Sequence, residues 1–324
     1  MFALCGVPLK VTCQTASQLT RISNLWHRFF SLEDERESEA TVIYFFAGAS
    51  PDDSSRQIPP GVELFRSAHL VVLKTDRGFH FRCYSSFLDV DVEHGRCLGV
   101  LTDEFWDVPL EFQREFFLLS FLAILRPLGR YGLHANGLLN DGIGYLIVGD
   151  SGNGKTTLSL ALVREGWGFL SDDVLTLQET QQGIKALALR RGFSCTMQTA
   201  LRYPEFKSMV DEAPSFLNGK KLVDISQEYP DSFYQSCFPS VLLFPKITDE
   251  LHSRLVRIDP TQSVVGLLEQ SPGILIEKPR VIEQMNVLKL LVNQARCYQL
   301  QLGTDIFEAP KTVAELLSSV LTDD

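Results

Sequence analysis

The stretch GDSGNGKTT at Gly149–Thr157 matches the pattern G-x-x-x-x-G-K-[ST] in full, the spacing of a loop that wraps phosphate. Gly149, Gly152 and Gly154 can take backbone angles closed to other residues, so successive N–H groups can turn inward on one anion. On this reading the contacts to nucleotide come from Gly149, Asp150, Ser151, Gly152, Asn153, Gly154, Lys155, Thr156 and Thr157. Lys155 brings a point charge to the β- and γ-phosphates, Thr156 offers a hydroxyl to Mg²⁺, and the helix that begins there adds its positive end. The expected ligands are therefore ATP and Mg²⁺. The competing reading is a glycine turn between strand and helix with a surface lysine.

Asp172 and Asp173 follow a short apolar run, WGFL, that reads as a strand. In an open α/β sheet ligands bind beyond the carboxyl ends of strands, so a strand lying beside the one that precedes the loop would set both acids against the phosphates. One carboxylate would help hold Mg²⁺ through water, and the other would take a proton from an attacking hydroxyl. The same dipeptide also suits a plain turn or cap. His134 precedes the hairpin that delivers the loop strand, and there it could orient a phosphoryl group or tune an aspartate. A satisfied core histidine is the alternative. His27, His69, His80, His94 and His252 form no metal-binding pattern, and no G-x-S-x-G or Cys/His arrangement suggests a covalent nucleophile.

These residues need elements to hold them. YLIV before the loop and TTLSLALVRE after it supply strand and helix, NDGIG supplies the turn before the strand, and VLLFPKI (241–247) and TVAELLSSVL (312–321) read as a later strand and a final helix. That rhythm predicts an α/β core with extra β-structure over residues 126–324. Residues 1–125 predict a smaller α+β unit: a helix over 17–32, strands at 41–46, 69–74, 79–84 and 88–92 with a hairpin turn at KTDRGF, and an apolar helix, PLEFQREFFLLSFLAILRPLG, joining the two units. GASPDDSSRQIPPG at 48–61 reads as a surface loop. RYPEFKSMVDEAPSFLNGKKLVDI, after residue 200, reads as a lid or a solvated excursion, with Lys220 and Lys221 either reaching phosphates or forming a solvated turn.

Bulk properties narrow the partners. A net charge of −10 argues against nucleic acid, whose binding is driven by Lys and Arg. Seven scattered cysteines without a CxxC pair favour reduced thiols and a cytoplasmic location. No signal peptide is expected from MFALCGVPLKVTC, and FFLLSFLAIL at 116–125 is too short to span a bilayer, so no membrane partner is expected.

LHANGLL, YLIVGDSGNGKTTLSLALVREG and FLSDDV together resemble the catalytic domain of the HPr kinase/phosphorylase superfamily, which shares its nucleotide site with phosphoenolpyruvate carboxykinase. The likeness is most specific over residues 132–177. The first 100 residues look like the variable N-terminal domain of HPr-kinase-like proteins from peptide-modifying gene clusters. The resemblance implies a fold class of α/β with a P-loop HPr-kinase/carboxykinase-like catalytic domain and a smaller α+β N-terminal domain. It implies an ATP-dependent kinase acting on a hydroxyl acceptor, a serine of a peptide or protein or a small molecule, and it is compatible with a homo-oligomer.

By the same resemblance the essential histidine is His134, the phosphate lysine Lys155, the magnesium hydroxyl Thr156 and the general base Asp173, with Asp172 beside it at the metal. The family's magnesium-binding glutamate falls on Leu189, in ALALRRGF, and its C-terminal arginine loop has only Arg280 as a counterpart. Those departures put the reverse phosphorylase reaction in question and point away from HPr as the target. A carboxykinase-like activity, which would need further histidine and lysine ligands, and a nucleotide-binding sensor or assembly protein that transfers nothing are the other readings. The first unit's short strands could offer an edge to an extended peptide, or serve as a structural cap.

Overall fold

Helix α1 (Ala16–Phe29) buries Ile22, Leu25, Trp26 and Phe29 at helical spacing, and the Thr15 side chain caps its start by accepting the Gln18 N–H at 3.1 Å. Trp26 meets Tyr44, Phe117 and Phe121 edge-on, with centroids 4.9–5.4 Å apart. This aromatic cluster is the centre of the first of two units. The computed structural model describes residues 1–34, 39–48, 58–203, 216, 219–225, 228–271 and 278–321. Its contacts divide the chain into Met1–Arg130 and Tyr131–Asp324.

The strands of the first unit are β1 (Phe2–Leu4), β2 (Val7–Cys13), β3 (Leu32–Asp34), β4 (Val42–Ala47), β5 (Val62–Arg66), β6 (Val71–Thr75), β7 (Gly78–Cys83), β8 (Ser86–Asp91) and β9 (Arg96–Val100). Among the described residues they form one sheet in the order β3-β1-β2-β4-β9-β8-β7-β6-β5. Strand β4 alternates as a half-covered strand should: Val42, Tyr44 and Phe46 are buried while Ile43 and Phe45 are exposed. The KTDRGF turn joins β6 to β7, with Thr75 opposite Gly78. Helix α2 (Asp103–Asp107) is short, and α3 (Leu110–Leu125) packs on β7 and β8 within this unit. The expected surface loop at 48–61 falls largely on residues outside those described, as does most of the expected lid after residue 200.

In the second unit β10 (Tyr131–Leu133) leads into the hairpin of β11 (Ala135–Asn140) and β12 (Ile143–Val148). Its two-residue turn is Asp141–Gly142, both with positive φ, as a tight hairpin requires. Then come α4 (Lys155–Arg164), β13 (Gly168–Ser171), β14 (Leu175–Thr180), β15 (Gly183–Ala188), β16 (Phe193–Cys195), α5 (Met197–Leu201) and β17 (Lys221–Val223). The chain continues through β18 (Ser236–Cys237), β19 (Pro239–Ile247), β20 (Arg254–Arg257), α6 (Pro260–Glu269), α7 (Lys278–Gln294), β21 (Arg296–Leu302), α8 (Asp305–Glu308) and α9 (Pro310–Ser318). A mixed sheet runs β13-β11-β12-β19-β21-β20, with β12, β19 and β21 parallel, and β10-β14-β15-β18 make a second, antiparallel sheet.

Strand β12 is covered on both faces. Tyr145 and Ile147 pack with Leu158, Leu162 and Leu317, while Leu146 and Val148 pack with Leu175, Leu177 and Leu291. That is why its sequence reads as a continuous apolar run rather than an alternating one. The acidic strand is not the neighbour of β12: β11 lies between them, because the antiparallel hairpin takes the adjacent slot. Among the described residues no helix is long and apolar enough to cross a membrane. All seven cysteines are free thiols.

Candidate functional site

The loop from β12 to α4 is shaped by glycine. Gly152 and Gly154 have φ of +96° and +86°, angles that L side chains rarely adopt. The loop delivers Lys155 at the first turn of α4, where its ammonium is turned back into the loop. Lys155 Nζ donates to the carbonyls of Gly149 at 2.5 Å and Asp150 at 3.1 Å, and lies 3.1 Å from His134 Nε2. Burial pulls the Lys155 ammonium below its ordinary value, against the charges of Asp173 and Asp172.

His134 sits between β10 and β11, where the hairpin pairs Ala135 with Val148 and so brings the histidine beside the loop. Its Nδ1 is 3.2 Å from Asp173 Oδ1, and its backbone N–H bonds to the Gln270 carbonyl at 2.7 Å. Gln270 also donates from Nε2 to Asp150 Oδ1 at 2.7 Å, tying the end of α6 to the loop. Burial lowers the His134 pKa; Asp173 opposes this, and Lys155, Arg190 and Lys220 add to it.

The two acids have different surroundings. Asp172 is 1% exposed; its Oδ1 accepts from Asn136 Nδ2 at 2.9 Å and Thr156 Oγ1 at 3.0 Å, and its Oδ2 from the Ser194 N–H at 2.9 Å. Burial raises its pKa and the Asp173 charge adds to the rise, while Arg190, Ser194 and Thr156 oppose it. Asp173 has φ of +73° and occupies a sharp turn in which the Val174 N–H bonds to the Asp172 carbonyl. Asn136 Oδ1 accepts the Asp173 N–H at 2.9 Å and holds that strained residue in place. Asp173 Oδ2 forms an ion pair with Arg190, whose side chain is fully buried and also donates to Ser194 Oγ at 2.9 Å.

The structure thus brings His134, Lys155, Thr156, Asp172 and Asp173 together. Of the other loop residues, Ser151 Oγ receives Lys220 Nζ at 3.4 Å, the Asn153 N–H bonds to the Asp150 carbonyl, and Thr157 Oγ1 meets Thr199 Oγ1 at 3.2 Å. Lys221 lies in β17, paired across to Cys195, and Arg280 pairs with Glu283 at the start of α7. Leu189 is a buried core residue with nothing to give a metal. Among the described residues no group of three His, Cys, Asp or Glu could hold a metal ion. A hydroxyl and a carboxylate 3.0 Å apart, Thr156 and Asp172, are nevertheless the hard oxygen donors that Mg²⁺ accepts when water completes its shell.

Asn136, Arg190, Ser194 and Gln270 were not legible as site residues. Asn136 carried a signal, a polar residue set in an apolar strand sequence; Arg190, which lies between β15 and β16, Gln270 and Ser194 carried none.

No family model and no curated protein matches the chain. A solved structure of the Hpr(Ser) kinase/phosphatase from Coxiella burnetii is similar to it at 15% identity and a TM-score of 0.32, over 58% of this chain and 88% of that one. So low a score leaves the functional reading to rest on the side chains themselves.

Proposed function

We propose that the second unit transfers the γ-phosphoryl group of ATP to a hydroxyl on a serine of a peptide or protein, or on a small molecule. The observation that carries this is the unbroken line of contacts Lys155–His134–Asp173–Arg190 beside a glycine-rich loop at a helix start. The loop N–H groups and Lys155 would bind the phosphates, and a proton acceptor stands next to them. Thr156 and Asp172 would hold Mg²⁺, which when bound offsets charge on the phosphate oxygens. The His134–Asp173 pair would receive the hydroxyl proton, and the fully buried Arg190 keeps a positive charge against that pair.

The test is γ-labelled ATP with Mg²⁺ and a panel of serine peptides, free serine, polyols and no acceptor. Label on a hydroxyl compound supports the kinase. A sensor that binds nucleotide and transfers nothing is the second reading, favoured by one observation: both oxygens of Asp173 are already engaged. Binding of ATP with label passed to no acceptor would select it, and release of free phosphate alone would point to an ATPase.

A further inference from the structure

We propose that His134 Nε2, not the Asp173 carboxylate, takes the proton of the acceptor hydroxyl, and that Asp173 is a positioning residue that fixes the imidazole. This rests on the phosphotransfer reading. The argument begins with donors. Lys155 Nζ is a donor only, and it lies 3.1 Å from His134 Nε2, so that nitrogen is the acceptor and carries no proton. The proton of the neutral ring is therefore on Nδ1, the nitrogen that faces Asp173 Oδ1 at 3.2 Å. One ring nitrogen is oriented by a carboxylate and the other presents a lone pair toward the phosphate-binding lysine, the division of labour of a carboxylate-oriented histidine base.

Asp173 is placed differently. Its Oδ1 faces His134 Nδ1 at 3.2 Å and its Oδ2 accepts from a guanidinium that is fully buried and also bound to Ser194, so neither oxygen is without a partner. Its backbone is held in a left-handed turn by Asn136. A group clamped at both oxygens and at its own N–H is built to hold a neighbour. The charged groups facing the imidazole are Asp173, Lys155, Arg190 and Lys220; burial and the three cations, against Asp173, favour the neutral ring that a base requires.

In the reaction, Lys155 turns to the phosphate oxygens and frees Nε2. Nε2 takes the hydroxyl proton as the acceptor oxygen bonds to the γ-phosphorus. The bond from that phosphorus to the bridging oxygen breaks, and its electron pair leaves with ADP. The imidazolium is balanced by Asp173 and returns its proton to solvent.

Two measurements test this. In the wild-type protein above pH 7, ¹⁵N NMR of His134, assigned by its loss in His134→Gln, should show a pyrrole-like Nδ1 and a pyridine-like Nε2. In the transfer assay, His134→Gln should lower kcat by about a hundredfold or more and abolish the acidic limb of the kcat/KM profile. Asp173→Asn should keep that limb but move it to lower pH, because the charge that stabilises the imidazolium is gone. Transfer by a protein whose His134 is protonated on Nε2 overturns the assignment alone, as does an acidic limb that survives in His134→Gln and vanishes in Asp173→Asn. Wild-type protein that labels no acceptor overturns the phosphotransfer reading and this assignment together.

Discussion

Arg190 presents a guanidinium with no solvent exposure to Asp173 Oδ2, while Asp173 itself remains about a third exposed. Removing one partner of a buried ion pair strands the other charge, at a cost of about 3–5 kcal/mol. Because water can reach Asp173, Arg190→Met should fall at the low end, about 3 kcal/mol by urea denaturation. Adding Asp173→Asn should recover much of the loss, since asparagine removes the stranded charge and tolerates the left-handed backbone. A single-variant loss below about 1 kcal/mol would mean that the pair contributes little to the fold.

Asn136 is the hinge between the two acids. Its amide donates to Ser159 Oγ and Asp172 Oδ1, both at 2.9 Å, and its carbonyl receives the Asp173 N–H. Asn136→Leu keeps much of the volume and removes all three bonds. With each buried polar group left short costing about 1–3 kcal/mol, the variant should lose about 2 kcal/mol or more in a denaturant titration. Wild-type stability in Asn136→Leu would show that water replaces the amide.

Much of this site was written in spacing that local chemistry enforces. A lysine and a threonine directly after a glycine turn must lie at a helix start, and Asp141–Gly142 must turn tightly, so the hairpin that returns His134 to the loop could be read from sequence. What could not be read was the order of strands. The slot beside β12 goes to β11 rather than β13, and nothing local to WGFLSDD specifies that. Arg190 escaped for a related reason: its partner, Asp173, is brought near by the turn at the end of β13 and the β14–β15 hairpin, a relation between segments that periodicity does not encode. Residues of the first unit's sheet such as Phe2–Leu4 and Arg96–Val100 were also missed, being short strands whose partners lie elsewhere in the chain.

The lowered pKa of His134 has a consequence for stability. Between its value in the fold and the ordinary 6.5, the unfolded chain binds a proton that the folded protein does not, so stability rises with pH through that window and is lost as pH falls. Asp172 acts in the opposite sense: its raised value makes the fold hold a proton that the unfolded chain releases above about 3.8, so its contribution falls as pH rises from there. The difference between wild type and His134→Gln isolates the histidine. Denaturation midpoints taken from pH 7.5 to 5 should fall more steeply for wild type; parallel curves would show that His134 titrates alike in both states.

Lys155 should separate from Lys220 in nucleotide binding. Both are cations near the loop, but Lys155 is buried and bonded to Gly149, Asp150 and His134, whereas Lys220 meets the loop at Ser151 Oγ at 3.4 Å. Charge-assisted hydrogen bonds contribute about 1.5–3 kcal/mol, and about 1.4 kcal/mol is tenfold in affinity. Lys155→Met should therefore raise the ATP dissociation constant about tenfold or more by calorimetry, with Lys220→Met changing it far less. The Lys155 variant also removes a charge that lowers the His134 pKa, so the imidazole should titrate at higher pH in Lys155→Met than in wild type. Equal affinity losses in the two variants, with the histidine unmoved, would mean that the loop attracts nucleotide through its general field and that Lys155 has no special place in it.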